Sequence, residues 1–289
     1  MVRVGTRGSN LALAQARWVA DRLGDDVELV TVTVAGDRGE AIGDKSRWVS
    51  ELERALLERE IDIAVHSAKD VPAELPAGLE LVAIPERADA RDAICGARSL
   101  QSLPTGARVG TSSLRRKAQI CAQRADLDVV PLRGNVDTRL RKLADGECDA
   151  VVLALAGLQR LGREDAIDGT LDQLVPAAGQ GALALEARTG AVSIVEGLRD
   201  PVATACVAAE RELVRALGAT CNTPVGAHAR QLPGGGLELT AWIGLPDGSA
   251  WMSDRLSGDG SADLGLAVAG RLIVTGAREL LREAEAQVV

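Results

Sequence analysis

Residues Ile61 to Pro72, IDIAVHSAKDVP, decide how this chain is built. An apolar, strand-like run stops abruptly in the polar residues His66, Ser67, Lys69 and Asp70. In open α/β sheets ligands bind outside the carboxyl ends of strands, so a tetrad that follows Ile61, Ile63 and Val65 is expected to face a cleft. Upstream, Val2 to Gly5 reads as a short strand. Thr6, Arg7, Gly8 and Ser9 then form a turn that opens a helix from Asn10 to Leu23. Such a helix start presents backbone N–H groups and a positive dipole end, a natural seat for a carboxylate or phosphate. A second strand, Val27 to Val34, leads into the Gly- and charge-rich stretch AGDRGEAIGDKSR. The helix Trp48 to Arg59 then delivers the chain to the strand ending near His66.

The same unit occurs twice. Arg3-Val4-Gly5-Thr6 recurs as Arg108-Val109-Gly110-Thr111, and the helix Val136 to Ala144 with the strand Asp149 to Leu155 parallels the helix and strand that precede His66. The predicted fold class is therefore α/β: two similar doubly wound lobes of the periplasmic-binding-protein kind, with a cleft between facing strand ends. A polar run, ERADARDA, marks the boundary, with a new domain starting near Asp89. The stretch VPAAGQGALALEAR, Val175 to Arg188, has the Pro and Gly content of a hinge that returns the chain to the first lobe. Beyond Thr220, polar and apolar residues alternate through Leu237 to Ile243, a turn falls at Pro246-Asp247-Gly248, and an Ala/Leu-rich helix runs from Asp263 to Ala284. These predict a small α+β C-terminal domain. The expected domains are residues 1–87 with about 182–200, residues 88–181, and residues 201–289.

With 289 residues, 46% of them hydrophobic and 26% charged, the chain can bury one large core or several smaller ones. No apolar run approaches the roughly 20 residues of a membrane span, and the first residues are too polar for a signal peptide, so a cytoplasmic protein is expected. Five cysteines without a CxxC, and two histidines, support neither a disulfide framework nor a metal site. A formal charge of -8 argues against broad binding to nucleic acid or anionic membranes. There is no Phe and no Tyr, which removes the stacking platforms of single-strand binders.

Two constellations point to chemistry. Arg7, Arg115, Arg116, Arg133, Arg139 and Arg160 are placed at turns and helix starts rather than along helix faces. Several guanidinium forks on one cleft suit a ligand with several carboxylates, since each pair can be bidentate and Arg keeps its charge. Cys221 lies in a loop between Thr220 and Pro224, whereas Cys95, Cys121, Cys148 and Cys206 fall inside strand or helix patterns. A loop thiol facing a basic cleft is the more available nucleophile.

GTRGSNLALAQA, ELERALLEREIDIAVHSAKDVP, VGTSSLRRKAQ, LRGNVDTRLRKL, LALAGLQRLG, LVPAAGQGALALEAR and CNTPVGAHA together closely resemble the porphobilinogen deaminase (hydroxymethylbilane synthase) family, in the family's order and over nearly the whole chain. The resemblance implies a three-domain cytoplasmic transferase of tetrapyrrole and heme biosynthesis, expected to be a monomer. It would join four porphobilinogen molecules head to tail, with loss of ammonia, into linear hydroxymethylbilane. Its primer would be one dipyrromethane cofactor per chain, held by a thioether that maps to Cys221. Asp70 matches the family's catalytic carboxylate. The cofactor- and substrate-binding positions match Arg7, Ser9, Lys69, Ser113, Arg115, Arg116, Arg133, Arg139 and Arg160, with Lys45 and Trp48 as loop contacts.

The chemistry agrees with this assignment. Loss of ammonia leaves an azafulvenium cation, and attack by a pyrrole creates a second cation, both of which a carboxylate at Asp70 would stabilise while helping to move protons. Acetate and propionate on every ring give the growing chain the negative charge that the arginines would neutralise. The sequence departs from the family where Ala219 and Thr220 replace the usual two glycines, where the loop before Trp48 is shortened, and where Ala68 replaces Met. The rival readings are a non-catalytic two-lobed solute-binding protein, which leaves Cys221 and Asp70 without a task, and an inactive family member.

Overall fold

The computed structural model describes residues 1–32, 46–220 and 223–287, without the side chains of residues 46–48. Two compact units divide the chain: Met1–Ala88 with Gly181–Val207, and Asp89–Gln180 with Ala208–Val289.

The first unit opens with β1 (Val2–Thr6), α1 (Asn10–Leu23), β2 (Val27–Thr31), α2 (Ser46–Leu57), β3 (Ile63–Ser67) and β4 (Leu79–Ala83). The helix α1 begins where the sequence predicts because the Ser9 hydroxyl accepts from the Ala12 N–H at 3.3 Å, and it ends at Gly24, whose φ of 97° carries the chain out of the helix. Val4, Ala16, Val19, Ile63 and Val65 pack α1 against one face of the sheet, and Leu52, Ala55, Leu56, Ile61 and Ala64 join α2 to it. Each fully buried leucine in these layers contributes on the order of 2 kcal/mol of transfer free energy. Arg188 closes the end of α2 by donating to the carbonyls of Leu56 at 2.6 Å and Ile61 at 2.9 Å, and also donates to Asp62 at 3.2 Å.

The second unit repeats the plan with β5 (Asp92–Cys95), β6 (Arg108–Gly110), α3 (Leu114–Gln123), β7 (Asp128–Val130), α4 (Val136–Ala144), β8 (Ala150–Ala154), α5 (Leu155–Arg160) and β9 (Gly169–Leu171). The chain then returns to the first unit as β10 (Leu183–Arg188). The two five-stranded sheets have the orders β2-β1-β3-β10-β4 and β7-β6-β8-β5-β9. In each, three parallel strands come first and the fourth runs antiparallel to its neighbours, β10 against β3 and β4, β5 against β8 and β9. The Arg-Val-Gly-Thr echo thus marks β1 and β6, the second strands of two topologically equivalent sheets. The α/β two-lobe class read from the sequence holds. The predicted hinge segment contains an ordered strand, β10, which the sequence reading had not separated from the crossing.

After α6 (Pro201–Leu217) the chain forms an antiparallel meander of β11 (Val225–Gln231), β12 (Leu237–Gly244) and β13 (Trp251–Gly258), packed by α7 (Ser261–Val274) and α8 (Ala277–Ala286). The small α+β C-terminal element is as expected, with one correction. The single helix predicted from Asp263 to Ala284 is broken at Gly276, whose left-handed φ of 101° reverses the chain between α7 and α8. The predicted strand Val27 to Val34 stops at Thr31, and Val34 lies outside the described residues.

Candidate functional site

In the first unit β1 and β3 are parallel neighbours, so the residues that follow them emerge at one sheet edge. Arg7 and Ser9 follow β1. Asp70 ends a single 3-10 turn, Ala68–Asp70, directly after β3, and that turn is tied down by the Ala68 N–H donating to the Ala182 carbonyl at 3.0 Å. Arg7, Ser9, Gln15, His66, Ser67 and Asp70 form the polar lining of one pocket, completed by apolar side chains of α1, α2 and β3. Lys69 sits half-buried in the same turn.

Sequence reasoning missed Gln15 as a pocket residue. Its amide donates to the Ser67 hydroxyl at 2.8 Å, linking α1 to the end of β3. The available signal was its i,i+4 spacing from Leu11, which puts both on one helix face. His66 belongs to β3 itself rather than to the turn after it. Its Nε2 lies 2.9 Å from the Glu186 carboxylate on β10, and both side chains are buried.

In the second unit the three parallel strands β7, β6 and β8 deliver the basic residues to one edge. Ser113 follows β6 and caps α3, its hydroxyl accepting from the Arg116 N–H at 3.4 Å. Arg133 follows β7 and is exposed. Arg139, in the first turns of α4, is half-buried and donates through Nε to the Gly134 carbonyl at 2.8 Å. Arg160 ends α5. Burial pushes Arg160 down to about 10; burial, followed by the neighbouring charge of Arg116, does the same to Arg139. Both remain cations at neutral pH.

Arg115 and Arg116 stand apart from the other arginines. They are buried and converge on Asp92, which is fully buried on β5: Arg115 Nη2 donates at 2.8 Å and Arg116 Nε at 3.0 Å. Arg115 Nη1 also donates to the Val175 carbonyl at 2.8 Å, and the Gln180 amide donates to Asp92 at 2.9 Å. Burial alone would raise the Asp92 carboxyl, but the two guanidinium groups outweigh it and hold it well below the usual carboxylate range. Burial lowers Arg115 from its ordinary value, with Asp92 opposing. The sequence concealed this hub because Asp92 belongs to the polar run read as a domain boundary.

Lys45 and Cys221 lie outside the described residues, and Trp48 is described only as backbone of α2. Among the described residues no group of His, Cys, Asp and Glu could hold a metal ion, and no helix is long and apolar enough to cross a membrane.

Residues 2–196 match the family model described as porphobilinogen deaminase, dipyromethane cofactor binding domain, and residues 204–273 match that of the porphobilinogen deaminase C-terminal domain. A porphobilinogen deaminase of Deinococcus deserti is 48% identical, covering 97% of this chain and 97% of its own. The Thermus thermophilus porphobilinogen deaminase is 47% identical, covering 98% of this chain and 99% of its own. With both family models matched and relatives of this identity aligned from end to end, the chain belongs to the porphobilinogen deaminase family of enzymes.

Proposed function

We propose that the chain joins four porphobilinogen molecules head to tail, with loss of ammonia, into linear hydroxymethylbilane, starting from a dipyrromethane held covalently by Cys221. The observation that carries this reading is the first unit's pocket, which sets one carboxylate, Asp70, among the cation Arg7 and the neutral donors Ser9 and Gln15. Such a site offers a counter-charge for a cationic reaction centre beside a binding group for a substrate carboxylate.

The residues present fit a polycarboxylate primer. Arg139 carries its charge against burial and, in second place, against the charge of Arg116, and both costs are offset when an anionic side chain lies beside it. Bound there, a dipyrromethane supplies an electron-rich terminal pyrrole carbon as nucleophile. Arg133, Arg139, Arg160 and Ser113 would hold acetate and propionate groups, while Arg115 and Arg116, fixed by Asp92, add positive potential from behind. In the first unit Arg7, Ser9 and Lys69 would hold the substrate's carboxylates. Asp70 would accept pyrrole N–H bonds and stabilise the positive charge left on the substrate as ammonia departs. A carboxylate held by a short hydrogen-bonded turn needs little reorganisation to do so.

The test is the intact mass of the protein purified from cells that make porphobilinogen, beside that of Cys221→Ser. The expected result is an excess of two linked pyrrole units on the parent and none on the variant, with one ammonia released per porphobilinogen consumed by the parent. A bare parent chain that stays bare and releases no ammonia after porphobilinogen is added would overturn the reading.

A further inference from the structure

His66 and Glu186 form a buried pair that the proposed chemistry leaves without a role. Glu186 is fully buried on β10, one strand over from His66 on β3, and its Oε2 lies 2.9 Å from His66 Nε2. A carboxylate at that distance accepts, so it fixes the proton of the neutral imidazole on Nε2 and leaves Nδ1 as the lone-pair nitrogen. Nδ1 has no hydrogen-bond partner among the described residues, on a side chain that lines the same pocket as Asp70. The arrangement is that of a base with its orienting carboxylate.

The other charged groups around the ring are consistent with that role. From α2, Glu53 brings a second carboxyl, pushed up by burial and then by the charge of Glu186, with His66 opposing. Glu186 is the carboxylate within hydrogen-bond distance of the ring, at 2.9 Å. Arg7 and Asp70 line the pocket from the turns after β1 and β3.

We propose that His66 is the proton acceptor of the condensation, with Glu186 as its positioning residue. This inference rests on the proposed function. Once the new carbon–carbon bond has formed, the attacking pyrrole carbon still carries its hydrogen. That C–H bond breaks, its electron pair returns to the ring and restores aromaticity, and the proton passes to His66 Nδ1. The imidazolium, held against Glu186, gives the proton to the departed ammonia, which leaves as ammonium, and the neutral imidazole is restored. Asp70 stays ionised throughout as counter-charge to the cations, so acid–base work and charge stabilisation fall to different side chains.

The test uses Glu186→Gln, nearly isosteric, and His66→Gln. The chain has only two histidines, His66 and His228, so the imidazole nitrogens can be assigned by NMR in the purified protein. The expected spectrum shows His66 as the Nε2–H tautomer in the parent and as a tautomer mixture in Glu186→Gln, a readout independent of turnover. Both variants should lose about 10- to 100-fold in kcat with KM little changed. Porphobilinogen deuterated at its free α-carbon should show a larger isotope effect in Glu186→Gln than in the parent. An Nδ1–H tautomer in the parent, or variants whose isotope effect superimposes on that of an active parent, would overturn the proposal and leave the deaminase reading standing. A parent that consumes no porphobilinogen would overturn both.

Discussion

Asp70→Asn is expected to fold normally and to lower the turnover of porphobilinogen by about 10²- to 10⁴-fold, the range seen when a charge-stabilising or proton-handling group is removed from a reaction centre. Asparagine keeps the shape of the side chain and one acceptor oxygen, so the 3-10 turn after β3 and its tie to Ala182 should survive. The full negative charge is what disappears. Substrate binding should change far less than kcat, since Arg7 and Ser9 are untouched, and a fall in kcat with nearly constant KM marks an interaction made mainly in the transition state. The measurement is steady-state ammonia release, beside far-UV circular dichroism to show that the fold is intact. Near-normal turnover would remove Asp70 from the mechanism.

The second large effect is on stability. Asp92→Ala is expected to cost about 3–5 kcal/mol, because it leaves two buried guanidinium groups facing each other without their shared carboxylate. The same change removes one of the Gln180 amide's acceptors, leaving its bond to the Ala90 carbonyl, and weakens the seat of the segment from Val175 to Gln180, which Arg115 and Gln119 also hold. Urea unfolding would show the loss as a lower midpoint at similar slope. The pH dependence gives an independent check on sign. Asp92 is held below its ordinary 3.8, so the stability it contributes is complete above about that pH and drains away as the pH falls further towards the folded value. The gap between parent and variant should therefore be constant near neutrality and narrow below about pH 3.8. A loss under about 1 kcal/mol would mean that the hub is no more than an exposed ion pair in its effect.

Local signals made much of this legible. Ser9 and Asn135, each accepting a backbone N–H in the first turn of the helix that follows, fixed the starts of α1 and α4 where the sequence placed them. The repeated Arg-Val-Gly-Thr exposed the duplication because both copies are interior strands paired in parallel on both sides, where Val and Gly suit a strand covered on both faces. What stayed hidden depends on long-range pairing. The strands β5, β9 and β10 pair antiparallel at positions set by distant neighbours. Asp92 meets Arg115 across 23 positions, and His66 meets Glu186 across 120. No local pattern announces such partners, so Asp92 reads as part of a domain boundary and Glu186 as part of a hinge. The break at Gly276 was missed because Ala and Leu dominate both sides of it, and one glycine in such a run does not by itself force a helix to end.

The place of β10 in the first sheet has a consequence for biosynthesis. That strand sits between β3 and β4, yet it is made only after the whole run from β5 to β9 has left the ribosome. Until then the nascent β3 and β4 lack the strand that joins them, and their edges are open to wrong partners. Completing the sheet requires pairs as far apart as Ala64 and Glu186, contacts of the kind that slow folding. Chains truncated before Leu183 should be handled by the cell as unfinished proteins, prone to aggregation and dependent on chaperones, even though all of the pocket residues of the first unit have already been made.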